Sequence, residues 1–234
     1  MNAIIRIRGL RKSYIHQQRE LPILQIDSWT VRQGERVALL GPSGSGKSTL
    51  LHLIGGVLPA DQGELEVAGQ CLTGMSEKMR DRFRARTVGY VFQDFHLIPS
   101  LTARHNVEWV LPRELANPEK ARLLDQWFER VGLAGHMHRL PSQLSRGQQQ
   151  RVAIIRALIN RPPLVLADEP TGSLDWETAS EIMRLLLEVC AETGSTLLTV
   201  THDQHLARYY PRVVQMSDIN RGFLPQQAVG GEVR

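Results

Sequence analysis

Cysteine is nearly absent from the 234-residue chain. Its two examples, Cys71 and Cys190, lie far apart, with no second cysteine near either and no histidine at metal-ligand spacing. Disulfide scaffolds and structural zinc are thereby excluded, and both thiols read as reduced and structural. His136 and His138 form an H-x-H with no third ligand nearby and read as solvated residues. Long apolar runs are missing too. No run approaches the roughly 18 residues of a membrane-spanning helix, and even the stretch around Leu50 to Ala60 is cut by His52, Gly55 and Gly56. Met1 to Leu10 shows neither a long apolar segment nor a small-residue cleavage site. Arg6 and Arg8 inside its alternating pattern read as a strand rather than a signal peptide, so a cytosolic protein is expected. No internal repeat or low-complexity tract is visible. Charge of one sign is only in slight excess, 28 Lys+Arg against 24 Asp+Glu for a net +4. The densest basic stretch is Lys78, Arg80, Arg82, Arg84 and Arg86, around Asp81 and Phe83. It reads as the solvated flank of a helix, and no nucleic-acid partner is expected.

What remains, 42% hydrophobic and 22% charged, suits one globular unit with a sizeable core and excludes disorder. Five short apolar runs read as buried strands: Arg36 to Leu40, Thr87 to Phe92, Leu164 to Ala167, Ser195 to Val200 and Arg212 to Met216. Helical patterns between them predict an α/β sheet covered on both faces. Three N-terminal pieces, Ala3 to Arg8, Leu21 to Val31 and Gly63 to Val67, are joined by turns at Gln33-Gly34, Asp61-Gln62-Gly63 and Ala68-Gly69. They predict an antiparallel layer beside that sheet. Thr102 to Ala157 is helical in pattern, broken at Pro112, Pro118, Gly132 and Pro141, and Phe223 to Arg234 reads as a loose tail.

After the strand Arg36 to Leu40 comes Gly41-Pro42-Ser43-Gly44-Ser45-Gly46-Lys47-Ser48-Thr49, then an apolar helix. This is G-x-x-x-x-G-K-[ST] in its required strand, loop, helix setting. The glycines let successive backbone N–H groups face a phosphate chain, and the helix N-terminus adds partial positive charge. Lys47 supplies a full charge for the β- and γ-phosphates, and Ser48 offers a hydroxyl to Mg²⁺. A nucleoside triphosphate is the expected ligand. The strand Leu164 to Ala167 then delivers Asp168 and Glu169 at its C-terminal end, where α/β sheets bind ligands. Asp168 suits a Mg²⁺ shell, and Glu169 suits polarisation of the water attacking the γ-phosphate, so hydrolysis is expected.

Leu144-Ser145-Arg146-Gly147-Gln148-Gln149-Gln150-Arg151 resembles the signature motif of ATP-binding cassette (ABC) ATPases, and the resemblance extends over essentially the whole chain. It implies a P-loop NTPase (RecA-like) core in 1–93 and 160–222 with an antiparallel β layer, an inserted helical subdomain in 94–159, and a tail in 223–234. It implies that Tyr14 stacks on adenine, that Gln93 is the Q-loop glutamine and a ligand of Mg²⁺, that Ser173-Leu174-Asp175 is the D-loop, and that His202 is the switch histidine. It implies ATP and Mg²⁺ as cofactors and a head-to-tail homodimer in which the phosphate loop of one copy faces the signature of the other. Ser145, Gly147, Gln148 and Asp175 then act across the dimer, Ser145 as the N-cap of a helix Arg146 to Asn160 aimed at the partner's γ-phosphate.

The run departs from the family at Arg146, where glycine is usual. A guanidinium there either strengthens anion contact or hinders dimer closure, and the sequence leaves both open. Ser217 to Gly222 departs at a position where such domains commonly turn through Asp-Gly, and is read as altering only a hairpin. The stretch between Gln93 and Leu144 is too short for the arms of chromosome-structure relatives, and a single phosphate loop is present. Gly89 to Gln93, Leu97 to Ala103 and Ala167 to Asp175 make the chain similar to the compact subunits of the lipoprotein-releasing, macrolide-export and cell-division group. That likeness implies separate membrane permease subunits as partners and a peripheral place on the cytoplasmic face of the inner membrane. It leaves two functions: a transport motor, or a non-transporting scaffold ATPase that regulates a membrane partner.

Overall fold

Strand β1 (Ala3–His16) buries Ile5, Ile7 and Leu10 and turns Arg8 outward; β2 (Arg19–Arg32) buries Leu24, Ile26, Trp29 and Val31. Within Ile5–Ile7, Leu24–Ile26 and Trp29–Val31 the alternation of period two turns these side chains to the core, and its phase shifts between Ile7 and Leu10 and between Ile26 and Trp29. The two pair antiparallel with Ile7 opposite Trp29 and Leu10 opposite Ile26. The computed structural model describes residues 2–17 and 19–222; the tail expected at 223–234 lies outside them. β4 (Gln62–Val67) pairs on the other edge of β1, and β5 (Gln70–Cys71) follows through Ala68 and Gly69, both at positive φ as a two-residue hairpin turn requires. The first sheet therefore runs β2-β1-β4-β5.

The second sheet is wholly parallel, in the order β6-β7-β8-β3-β9. Its strands are β3 (Arg36–Leu40), β6 (Val88–Phe92), β7 (Leu164–Asp168), β8 (Thr196–Thr201) and β9 (Arg212–Gln215). Both faces are sealed. Val37, Leu39, Leu164, Leu166, Leu198 and Val200 pack toward the antiparallel sheet and α1 (Lys47–Ile54). Ala38, Leu40, Val165, Ala167 and Leu197 pack toward α3 (Ala103–Glu108), α4 (Asn117–Arg130), α5 (Arg146–Leu158) and α6 (Trp176–Thr193). Burial on both faces explains why these strands read as continuous apolar runs. Among the described residues no helix is long and apolar enough to cross a membrane. Cys71 is exposed and Cys190 buried, both free, and burial pushes the Cys190 thiol up to about 12.

Several boundaries differ from the expectation. Thr87 closes α2 (Glu77–Thr87) instead of opening β6, and Met216 opens α8 (Met216–Ile219) instead of closing β9. The expected hairpin at Ser217 to Gly222 is thus replaced by a helical turn, which carries Asn220 under the phosphate loop. The basic run on α2 is only partly solvated. Arg80 donates to the carbonyls of Gly56 (3.2 Å) and Met75 (2.8 Å), and Arg84 donates to that of Gly56 (3.1 Å). Both guanidiniums thus satisfy the Gly56 carbonyl just beyond the C-terminus of α1, where backbone acceptors lack helical partners.

Close approach of β6 to the end of α5 is possible only because residue 89 has no side chain: a Cβ there would overlap the Ala157 carbonyl oxygen and stand 2.9 Å from Pro162 Cγ. Gly89→Ala is expected to lower stability by about 1–3 kcal/mol through overpacking. Urea unfolding of the two proteins measures it, and an unchanged midpoint would show that α5 can withdraw freely.

Candidate active site

The C-terminal ends of β3, β6, β7 and β8 open onto a cleft of about 710 Å³. Pro42, Ser43, Gly44, Gly46, Lys47, Ser48 and Thr49 line one wall; Tyr14, Gln93, Glu169 and His202 line the rest. Gly44 (φ +77) and Gly46 (φ +94) take left-handed conformations that bend the chain between β3 and α1. At Gly46 a Cβ would also stand 2.8 Å from Leu24 Cδ2. Gly46 caps α1 without a side chain, so the first-turn N–H groups keep no side-chain partner. Gly41 and Ser45 lie beneath the loop. Ser45 is buried with its hydroxyl unpartnered, and a Cβ at Gly41 would crowd that oxygen at 2.8 Å.

Lys47 folds back on its own loop, donating to the carbonyls of Gly41 (2.7 Å) and Pro42 (2.9 Å). Burial lowers its pKa, against the opposing pull of Glu169 and Asp168. Burial also raises the pKa of Asp168, offset in part by a hydrogen bond from Ser48 Oγ at 3.1 Å. Glu169 sits one residue past β7 at φ +45, a left-handed conformation that costs a residue with a Cβ about 1–2 kcal/mol. Its backbone N–H donates to Val200 (3.0 Å), and its Oε1 lies 2.9 Å from His202 Nδ1. Lining one cleft are thus a cation for phosphate oxygens, a hydroxyl, and a carboxylate oriented by an imidazole; Asp168 does not itself line the cleft but is hydrogen-bonded to the Ser48 hydroxyl that does. These groups fit a phosphorylated ligand with Mg²⁺: the buried Ser45 hydroxyl has no partner, and Ser48 and half-buried Asp168 present hard oxygens side by side.

Ser145, Gly147, Gln148 and Asp175 do not line this cleft. Ser145 caps α5: its Oγ accepts from Gln148 N (3.2 Å), while Gln148 Oε1 accepts from Ser145 N (3.0 Å). Asp175 caps α6 by accepting from Thr178 N (3.0 Å), and that bond, with further bonds from Thr178 and nearby backbone, lowers its pKa. Gly147 abuts α6: a Cβ there would stand 2.6 Å from Thr178 Cγ2. The helix expected to reach Asn160 ends at Leu158, because Arg161 at φ +49 and Pro162 cannot continue it.

Several supporting groups escaped the sequence reading. Asp61 accepts from Lys12 Nζ (2.6 Å) and Ser13 N (2.7 Å), fixing the strand next to Tyr14. Burial pushes its carboxyl up, but the Lys12 and Ser13 hydrogen bonds prevail and hold it below the usual range. Asn220 donates to Ile23 O (2.9 Å) and Ser45 O (3.2 Å) and accepts from Gln25 N (2.8 Å), tying the phosphate loop to β2. Gln150 donates to the carbonyls of Phe92 (3.4 Å) and Pro170. Each bond joins distant segments, so no local motif announces it.

Residues 24–172 match the family model described as ABC transporter. The lipoprotein-releasing system ATP-binding protein LolD of Anaeromyxobacter dehalogenans is 45% identical over 92% of this chain and 90% of its own length. The macrolide export ATP-binding/permease protein MacB of Rhodopirellula baltica is 42% identical over 92% of this chain but 32% of its own length. Among solved structures, the ATP-binding cassette MJ0796, a dimer in a post-hydrolysis state bound to ADP and Pi, superposes with a TM-score of 0.83. It is 34% identical and aligns over 95% of this chain and 97% of its own.

The Gly147 contact has a measurable consequence. Gly147→Ala is expected to destabilise the chain by about 1 kcal/mol or more through overpacking against Thr178. Adding Thr178→Ser, which removes Cγ2, is expected to recover that loss. Thermal unfolding of the single and double variants reads both, and equal losses in the two backgrounds would mean that Thr178 is not the obstacle.

Proposed function

The chain belongs to the ABC transporter family, and on that premise we propose that it is the ATP-binding, ATP-hydrolysing subunit that powers a separate membrane permease for lipoprotein release or export of a lipophilic substrate. The observation that carries the reading is the cleft itself, where a G-x-x-x-x-G-K-[ST] loop faces a carboxylate held 2.9 Å from an imidazole. Names of relatives supply the substrate class: lipoprotein release for LolD and macrolide export for MacB.

In this reading Tyr14 stacks on adenine from the end of its strand, with Lys12 6.0 Å from its ring centroid. Gly41 to Thr49 wrap the phosphates, and Lys47 exchanges its two loop carbonyls for β- and γ-phosphate oxygens, recovering the stabilisation that burial removed from its charge. Ser48, Asp168 and Gln93 are the residues that would hold Mg²⁺, which when bound neutralises charge developing on the phosphate oxygens. Glu169 accepts a proton from the attacking water, while His202 keeps its carboxylate aimed.

Ser145, Gly147, Gln148 and Asp175 serve the nucleotide of a second copy. Because Ser145 Oγ spends its acceptor role on Gln148 N, its hydroxyl hydrogen stays free to donate to a phosphate oxygen. The dimeric MJ0796 cassette supports this arrangement. ATP-driven closure of two copies then becomes the mechanical step passed to the permease on the cytoplasmic face of the membrane.

Lys47→Ala is expected to remove most ATP binding, read with a fluorescent ATP analogue; undiminished affinity would exclude the loop as the nucleotide site. Glu169→Gln is expected to keep ATP affinity, slow hydrolysis by about 10²–10⁴, and accumulate an ATP-bound dimer visible by light scattering. Co-purification of the untagged permease with the tagged native chain from membranes tests the partner. Recovery of the chain without any multi-span protein would sink that part of the reading.

A further inference from the structure

Arg146 is where the signature run departs from its family, and its surroundings give it a role inside its own subunit. The first turn of α5 is already closed by the reciprocal bonds of Ser145 and Gln148, which leave the exposed Arg146 side chain free of capping duty. Its guanidinium carbon lies 5.8 Å from the centroid of the Phe95 ring, in the loop that follows β6. Phe95 (φ +56) and His96 (φ +45) are consecutive non-glycine residues in the left-handed region, a conformation that persists only where neighbours fix it.

The neighbours that fix it belong largely to α5. Arg156 donates to the carbonyls of Phe95 (2.7 Å) and His96 (2.5 Å), Gln150 donates to that of Phe92 (3.4 Å), and the Phe92 ring meets His96 edge-on at 4.7 Å. Arg146 adds a contact to a loop side chain, the 7% exposed Phe95 ring, from the first turn of the same helix. Gln93 stands two residues upstream, its amide 3.2 Å from where a Cβ on Gly172 would lie, so the D-loop side of the cleft leaves it little room.

We propose that Arg146 is a positioning residue for Gln93: by standing over the Phe95 ring it ties the first turn of α5 to the loop, so that the signature turn and Gln93 move as one body. The proposal rests on the reading of Gln93 as a holder of Mg²⁺. Its consequence is coupling between the two sites of a dimer, because an α5 turn that engages the partner's nucleotide also sets Gln93 in its own cleft.

The experiment is steady-state ATP hydrolysis by the full chain at fixed ATP while Mg²⁺ is titrated, for Arg146→Met, Phe95→Leu, their double variant, Arg146→Lys and Gln93→Ala. Exposed cation–π contacts predict that Arg146→Met and Phe95→Leu each raise half-saturating Mg²⁺ by about two- to fivefold. ATP affinity should stay unchanged, the double variant should go no further than either single, and Arg146→Lys should restore most of the parent behaviour. If Arg146→Met has no effect while Gln93→Ala shifts the Mg²⁺ dependence, the proposal falls and the reading of Gln93 stands. If Arg146→Met acts equally strongly in the Phe95→Leu background, Arg146 works by direct contact with the partner's nucleotide and the proposal again falls. If Gln93→Ala leaves the Mg²⁺ dependence unchanged, the reading of Gln93 fails and takes the proposal with it.

Discussion

A parallel strand sealed on both faces can place a polar side chain only at its ends or against a buried partner, as Thr199 in β8 meets the Tyr210 hydroxyl. In β3, β7 and β8 nearly every residue is buried, with the first sheet and α1 on one side and α3 to α6 on the other. Polar chemistry therefore surfaces where these strands stop: Gly41 after β3, Asp168 and Glu169 at the end of β7, His202 after β8. Pairing in one parallel register brings the ends together, with Phe92 opposite Asp168, Asp168 opposite Val200 and Leu40 opposite Thr201. Removing either covering layer would expose apolar strand faces and also scatter these residues.

The cleft confines charge and backbone strain. Asp168 is a carboxylate disfavoured by burial, Lys47 an ammonium disfavoured by burial, and Glu169 a left-handed residue with a Cβ. Such costs persist only where the surrounding structure over-determines them. Here the over-determination is visible in the Ser48 bond to Asp168, the two loop carbonyls on Lys47, and the Val200 bond that fixes the Glu169 backbone. In the proposed reading, a polyphosphate with its cation would meet Lys47 and Asp168 where charge is already confined.

The parallel strands and the phosphate loop were legible in the sequence because they rest on local rules: apolar runs ended by glycine, and a glycine-lysine-serine loop opening a helix. The full 14-residue length of β1 and β2 was not legible. Beyond Leu10 on β1 and before Ile23 on β2 the hairpin runs through Tyr14, Glu20 and Pro22, which bury little, and Lys12, which is buried against Asp61; cross-strand pairing and the Asp61 bonds, not an apolar pattern, hold this part extended. Asn220 was read as a hairpin detail and instead ties the phosphate loop to β2, a role set by contacts to Ile23, Gln25 and Ser45 nearly two hundred positions away. Ser145 was expected to cap the helix that follows it, as it does, whereas the contact of Gly147 with Thr178 needs the packing of α5 on α6.

That packing also bears on the second copy proposed to complete the site. The signature end of α5 is anchored at several points: Gly147 against Thr178, Gln150 to the carbonyls of Phe92 and Pro170, and Arg151 to Glu181 at 2.9 Å. For Ser145 to reach the cleft of its own chain, all of these would have to break together, including buried hydrogen bonds worth about 1 kcal/mol each and more when a partner is left unsatisfied. Rigid-body approach of another copy breaks none of them. In the proposed reading, the same anchoring keeps the signature turn a preformed surface for a second copy's nucleotide, and closure is then a movement of whole subunits rather than of loops.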